Sequence, residues 1–206
     1  MEGTSANNVV AAPISQTVRR SHILDAAEAC FVRNGFHRTT MIDLAREARI
    51  GPGNLYRYFP SKEAIVLALA ERDRERGAVL IAEIGKTGNL RDVLMGVLAR
   101  YFFELTYEAA VLRLDFWAEA TRNPAIAAMV SAGDAEGRAW LTKMFGALAI
   151  SPSCDPSAMV EILSPVMKGM VIDRALRLDY DPAPVVKHLR MLIDAGLNGS
   201  LSRKKE

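Results

Sequence analysis

Cysteine is nearly absent: Cys30 and Cys154 are the only two, and neither belongs to a Cys-x-x-Cys pair. A disulfide framework and a zinc knuckle are thereby excluded as the basis of the fold, and both thiols are expected to pack as small side chains. Histidine is as scarce, at positions 22, 37 and 188. There is no Glu-x-x-His pair of the kind that holds a di-iron centre and no Gly-x-Ser-x-Gly elbow, so no catalytic residue, metal or cofactor is expected. Gly85-Lys86-Thr87 has the ending of a phosphate-binding loop, but the earlier glycine such a loop requires would fall where Leu80 stands. Apolar runs fall short of the roughly 18 residues that cross a bilayer. Residues 1–17 contain no basic side chain and no compact apolar core. Neither a membrane anchor nor a secretory leader is expected, and the chain reads as cytoplasmic.

β-Branched runs and hairpin signals are also few, whereas Ala, Leu, Met, Arg and Glu abound, which favours an all-α chain. The formal net charge of +2 is unevenly spread. Residues 19–62 carry eight basic side chains (Arg19, Arg20, Arg33, Arg38, Arg46, Arg49, Arg57, Lys62) against Asp25, Glu28, Asp43 and Glu47, so 8 minus 4 gives +4 and the remainder carries −2. A basic head on a mildly acidic body is the electrostatic footprint of a nucleic-acid-binding module joined to a second functional part.

Helical periodicity supports that division. Residues 1–17 read as a polar, disordered tail, with Thr17 as the cap of a first helix whose inner face is Ile23, Ala26, Ala27, Cys30 and Phe31. Asn34-Gly35 supplies a left-handed stop, after which Phe36 can fold back on the same core. Thr40 caps a second helix over 41–48 with Leu44, Ala45 and Ala48 inward. Ile50-Gly51-Pro52-Gly53 then starts a short third helix over 54–59, since proline suits a first turn and forbids a through-running helix. Ser61 caps a fourth helix. Further helices are expected at 61–84, 89–107, 109–122, 124–149, 156–179 and 182–199, broken at 85–88, Asn123-Pro124, 151–156 and Asp181-Pro182.

Two short helices around a tight turn, braced by a longer one, have helix-turn-helix spacing. The wording is more specific than the spacing. Ile23-Leu24-Asp25-Ala26-Ala27, Phe31, Gly35-Phe36, Thr39-Thr40, Leu44-Ala45 and Leu55-Tyr56-Arg57-Tyr58-Phe59-Pro60-Ser61-Lys62-Glu63 closely resemble the signature of the tetracycline-repressor (TetR) family, over about residues 18–67. Two positions depart from it: Arg49 stands where the family usually has a turn glycine, and Gly51 where it usually has serine. A non-glycine residue in a left-handed turn costs on the order of 1 kcal/mol, so either the turn differs or the strain is tolerated.

The resemblance implies an N-terminal three-helix helix-turn-helix head at 18–62 and a C-terminal helical ligand-binding and dimerisation domain at 63–206. Thr40, Tyr56 and Lys62 suit phosphates; by resemblance Pro52, Gly53, Asn54, Arg57 and Tyr58 present the recognition helix to the major groove. Phe102, Phe103, Trp117, Met129, Trp140, Met144, Met167 and Met170 are candidate apolar walls for a small-molecule effector, and Arg113, Asp115, Glu119 or Arg122 a polar anchor; each is equally a core or solvent-facing side chain. Partners implied are double-stranded operator DNA, an effector, and a second copy of the chain through 156–179 and 182–199. The near all-round apolar stretch 158–172 favours that dimer, with Met167 and Leu189 expected in its interface. The expected activity is repression of a palindromic operator, relieved by effector. Alternatives are a helical ligand-binding or scaffolding protein without operator binding, and a helical-bundle enzyme.

Overall fold

The structure, a computed structural model, describes residues 16–86 and 88–200. Among these residues it contains nine α-helices and no strand: α1 (Gln16–Asn34), α2 (Met41–Glu47), α3 (Pro52–Tyr58), α4 (Lys62–Gly85), α5 (Leu90–Leu98), α6 (Tyr107–Ala120), α7 (Pro124–Leu148), α8 (Pro156–Leu176) and α9 (Ala183–Leu197). A π-helical turn, Ala99–Phe103, continues α5. The all-α architecture is as expected.

Local chemistry accounts for most boundaries. Thr40, Ser61, Asn89, Thr106, Asn123 and Asp155 each accept a backbone N–H in the first turn of the helix that follows, and Pro124 and Pro156 occupy first-turn positions where no N–H is needed. α1 ends because Gly35 takes φ 77°, and its N–H returns to the Phe31 carbonyl at 2.7 Å. The start of α1 differs from expectation. Gln16 and Thr17 are already helical, so Thr17 is not the cap; helix ends commonly shift by a residue or two. The rest of the expected tail, 1–15, lies outside the described residues.

The larger correction concerns the expected helix 89–107. The Glu104 N–H reaches the Ala99 carbonyl at 2.8 Å, an i→i+5 bond that inserts one residue into the helical ladder. The chain then breaks at 104–106, and Thr106 caps α6 two residues earlier than predicted. A 3.6-residue pattern cannot register this insertion. α8 ends at Leu176 rather than 179, because Arg177 is extended (φ −131°, ψ 113°), and α9 ends at Leu197 rather than 199.

Three apolar clusters hold the helices. The first joins Ile23, Ala27 and Phe31 of α1 to Leu44, Leu55 and Phe59, and reaches Ile65, Val66 and Leu69 of α4 and Ile126 of α7. Each large side chain buried there contributes about 1.5–3 kcal/mol. The second gathers Leu94, Phe145, Leu163, Met167, Leu189 and Ile193 from α5, α7, α8 and α9. The third, Leu105, Ala110, Val171 and Ala175, fastens α6 to α8. Met167 and Leu189 are thus buried inside the protomer instead of facing a partner. The apolar residues of α8 and α9 left outside are Ile162, Val166, Ile172, Leu176 and Met191.

Candidate nucleic-acid interface

Three inward anchors orient the short helices. Leu44 on α2, Leu55 on α3 and Phe59 just beyond it are fully buried against α1, which turns Asn54, Tyr56 and Arg57 outward. Tyr56 is 52% exposed, which leaves its ring and hydroxyl open to contact outside the protomer. Tyr58 is partly buried against the first cluster, with its carbonyl accepting from Arg20 at 3.3 Å and the Arg57 guanidinium 5.6 Å from its ring. A Cβ at Gly51 or Gly53 would meet nothing within 4 Å. Packing inside the protomer therefore does not require glycine at either place, and together with Pro52 they leave the start of α3 bare for close approach.

The turn between α2 and α3 resolves the Arg49 question. Arg49 adopts the left-handed conformation at φ 52°. Its N–H bonds the Arg46 carbonyl at 3.1 Å and the Ile50 N–H bonds the Ala45 carbonyl at 3.0 Å, the paired bonds of a Schellman stop. His22 adds a bond from Nε2 to the Ala48 carbonyl at 3.0 Å. The turn keeps the geometry a glycine would favour, and three hydrogen bonds hold a strained arginine in it.

Two expected phosphate residues also have structural duties: Thr40 caps α2, as the sequence led one to expect, and Lys62 forms a clamp that sequence reasoning missed. The Thr40 hydroxyl donates to Asp43 at 2.6 Å and accepts the Asp43 N–H at 3.1 Å, closing a capping box. Hydrogen bonds from the Thr40 hydroxyl, and then from its backbone N–H, hold the Asp43 carboxyl below its ordinary pKa. Lys62 Nζ donates to the carbonyls of Phe36 (2.9 Å) and His37 (3.4 Å) and lies 4.5 Å from the Phe36 ring. It clamps the α1–α2 turn, and one N–H hydrogen remains for another acceptor.

Ion pairing sorts the basic residues. Arg33 pairs with Glu47, Arg46 with Asp43, and Arg72 of α4 with both Asp25 (2.5 Å) and Glu28 (2.7 Å). Arg38, Arg49 and Arg57 are exposed and form no ion pair among the described residues. Arg19, Arg20 and Lys62 form none either, so the unneutralised charge of the head lies at the start of α1 and of α4 as well as on the turns around α2 and on α3.

The head is tied to the rest of the chain at defined points. Besides the Arg72 clamp, the Asp115 carboxylate of α6 accepts the Phe36 N–H at 2.5 Å, and Phe116 packs edge-on to Phe31 and Phe36 with centroids 6.1 and 6.2 Å away. Asp115 is thus a joint to the head instead of a free anchor, and Glu119 is buried in an ion pair with Arg122. Asp115 and Phe36 are 79 positions apart, beyond any local sequence signal.

The candidate effector residues do not form one site. Phe102 and Phe103 line a cavity of about 410 Å³ together with Thr106, Tyr107, Arg174 and Tyr180. Met144, Met167 and Met170 are core residues of the second cluster, with Trp140 packed against it; Met129 packs against the first and Trp117 against the third. Arg113 donates to the Tyr101 carbonyl at 2.7 Å. Among the described residues no group of three or more His, Cys, Asp or Glu is placed to hold a metal, and no helix is long and apolar enough to cross a membrane.

Comparison with known proteins bears on both halves. The family model "Bacterial regulatory proteins, tetR family" matches residues 23–69, and "BetI-type transcriptional repressor, C-terminal" matches residues 90–198. The chain is 35% identical over 114 residues to the HTH-type transcriptional regulator UidR of Escherichia coli K12, covering 54% of this chain and 56% of that protein. It is 35% identical over 78 residues to the HTH-type transcriptional repressor AcnR of Corynebacterium diphtheriae, covering 38% and 41%. The chain thus spans about half the length of the curated relatives it matches. Salmonella enterica GusR is 25% identical, with a TM-score of 0.70 over 90% of this chain and 99% of that one. A transcriptional regulator from Saccharomonospora viridis in complex with choline shares the fold, with a TM-score of 0.74 at 20% identity over 87% and 97%.

Proposed function

The chain belongs to the TetR family of bacterial transcription regulators, and we propose that it is a homodimeric repressor that binds a palindromic operator and is released by a small-molecule effector. The observation that carries this reading is the outward face of α3, where Asn54, exposed Tyr56 and unpaired Arg57 stand on a rigid, inward-anchored helix flanked by unpaired Arg38 and Arg49. Asn54 pairs with adenine and Arg57 with guanine or phosphate, while Tyr56, Tyr58, the remaining hydrogen of Lys62 and the first N–H groups of α2, which Thr40 caps, serve the backbone. Pro52 and Gly53 allow α3 to enter the groove. Arg38 and Arg49 join this set as phosphate contacts.

The head comprises residues 18–62 and the effector-binding and dimerisation domain residues 63–206, with the first two turns of α4 closing the core of the head. The exposed row Ile162, Val166 and Met191 supports a two-fold interface through 156–179 and 182–199. Two heads in one dimer reach successive major grooves about 34–36 Å apart, and effector in the second domain changes that spacing. Genome-wide footprinting with the purified protein tests the reading. Protected palindromes are expected, with Arg57→Ala altering sequence preference. Absence of any protected site, or a wild-type monomer at micromolar concentration, refutes it.

A further inference from the structure

α4, the π-helical turn and α6 converge on a cluster that neither DNA contact nor core packing requires. Asp73 on α4 accepts from Arg100 Nη2 at 2.9 Å, and the Tyr101 hydroxyl donates to the Asp73 carbonyl at 3.2 Å. Tyr101 fits there because the facing residue is Gly77, where a Cβ would lie 2.2 Å from the phenol oxygen. Arg113 of α6 lies behind these residues. Its guanidinium is 5.8 Å from the Tyr101 ring and 5.9 Å from the Phe102 ring, and its hydrogen bond goes to the Tyr101 carbonyl, a neutral acceptor.

The charges do not balance. Two guanidinium groups share one carboxylate, and Arg100 already binds it. Arg113 forms no ion pair among the described residues, although protein surrounds it closely enough for burial to lower its pKa. Arg100 Nε is buried without a hydrogen-bond partner. Removing a guanidinium from water without a carboxylate costs more than one hydrogen bond to a carbonyl returns. Among the described residues, Asp73 is the one carboxylate that acts on Arg113, alongside the Arg100 guanidinium and the neutral Tyr101 phenol.

We propose that Arg113, backed by Arg100, anchors an anionic group, carboxylate or phosphate, of the effector. The inference rests on the ligand-released reading above and supplies the chemical class of its ligand. Phe102 lies against Arg113 and also lines the 410 Å³ cavity, so it borders both the anion anchor and the space for the rest of the molecule. Arg174 in that cavity is a poorer anchor: its Nε and Nη1 bond the Leu105 and Tyr180 carbonyls, and Glu104 and Glu108 are among the lining residues. The location also connects to DNA. Asp73 directly follows Arg72, which grips α1, and Arg113 is two positions before Asp115, which grips the α1–α2 turn. An anion drawing Arg113 and Arg100 together acts on both helices that hold the head.

The test follows thermal unfolding of the full chain with benzoate, benzamide and inorganic phosphate at matched ionic strength. Benzoate or phosphate should raise the wild-type midpoint, benzamide should not, and the larger of the two anion shifts distinguishes carboxylate from phosphate. Arg113→Met should keep or raise the ligand-free midpoint and weaken anion binding roughly 10- to 100-fold, the loss expected for a charge-assisted pair. Arg113→Lys keeps the charge and should retain part of the shift, a control that stands even if the methionine variant fails to fold. Equal shifts with benzamide, an undiminished shift in Arg113→Met, or no wild-type response to either anion overturns the proposal. Footprinting on the same wild-type preparation separates the two ideas: operator binding without an anion response sinks only the anion site, and an anion response without operator binding sinks only the repressor reading.

Discussion

Replacing Arg49 by glycine tests whether the helix-turn-helix carries backbone strain. Arg49 is at φ 52°, and its left-handed conformation costs an L-residue about 1–2 kcal/mol. Glycine relieves that cost but increases the freedom of the unfolded chain, which takes back about 0.4–1 kcal/mol. The turn bonds from Arg49 and Ile50 are backbone bonds and survive the change. The net expectation is stabilisation by about 0.5–1 kcal/mol, a rise of roughly 1–4 °C in midpoint for a chain of this size. Arg49→Ala is the control: it removes the same exposed side chain, keeps the strain, and should stay within about 0.5 kcal/mol of wild type. Circular dichroism melts at equal protomer concentration supply the comparison. A glycine variant no more stable than the alanine variant would refute the strain argument. The same pair isolates charge: if Arg49 meets a phosphate, both variants should lower the salt slope of operator binding equally, by roughly one unit.

Val166→Glu and Met191→Glu should give folded monomers that no longer bind operator, since both side chains are exposed in the protomer; Met167→Glu should instead destabilise the fold by about 4 kcal/mol or more, because it buries an unpaired charge. Sedimentation with circular dichroism separates the two outcomes, and a dimeric Met191→Glu would remove α9 from the interface. Lys62→Ala should lower the salt slope by roughly one unit and cost about 1 kcal/mol of stability, as it frees the Phe36 and His37 carbonyls; chemical denaturation detects the second effect, whose absence would deny the clamp. Asp115→Ala should cost about 1–3 kcal/mol, because it orphans the Phe36 N–H, and should weaken operator binding from outside the DNA-facing surface. Unchanged operator affinity would show that this joint does not position the head.

The inward faces of the head and most of its boundaries were legible in the sequence because each rests on neighbours a few positions apart; the exceptions are the start of α1 and α3, which runs Pro52–Tyr58 where 54–59 was expected. Thr40 with Asp43, Gly35 after Asn34, and Pro52 after Gly51 act within one turn, and Leu44, Leu55 and Phe59 take the inward face by periodicity. The same local chemistry identified the breaks at Asn123 and Asp155. What the sequence left open at Arg49 was an energetic balance between one strained residue and the surrounding bonds, and the His22 contact from another helix is part of the answer. Other features needed the tertiary structure altogether. The π-helical turn at Ala99–Phe103 keeps an ordinary helical composition while shifting the register of Arg100 and Tyr101. Met167 and Ile162 are alike as apolar residues of α8, and packing against α5, α7 and α9 buries one and leaves the other exposed. Asp115 at Phe36, Arg72 at Asp25, and Arg113 beside Arg100 bring together residues of different helices; their chemistry follows from distance in space, which no periodicity along the chain encodes.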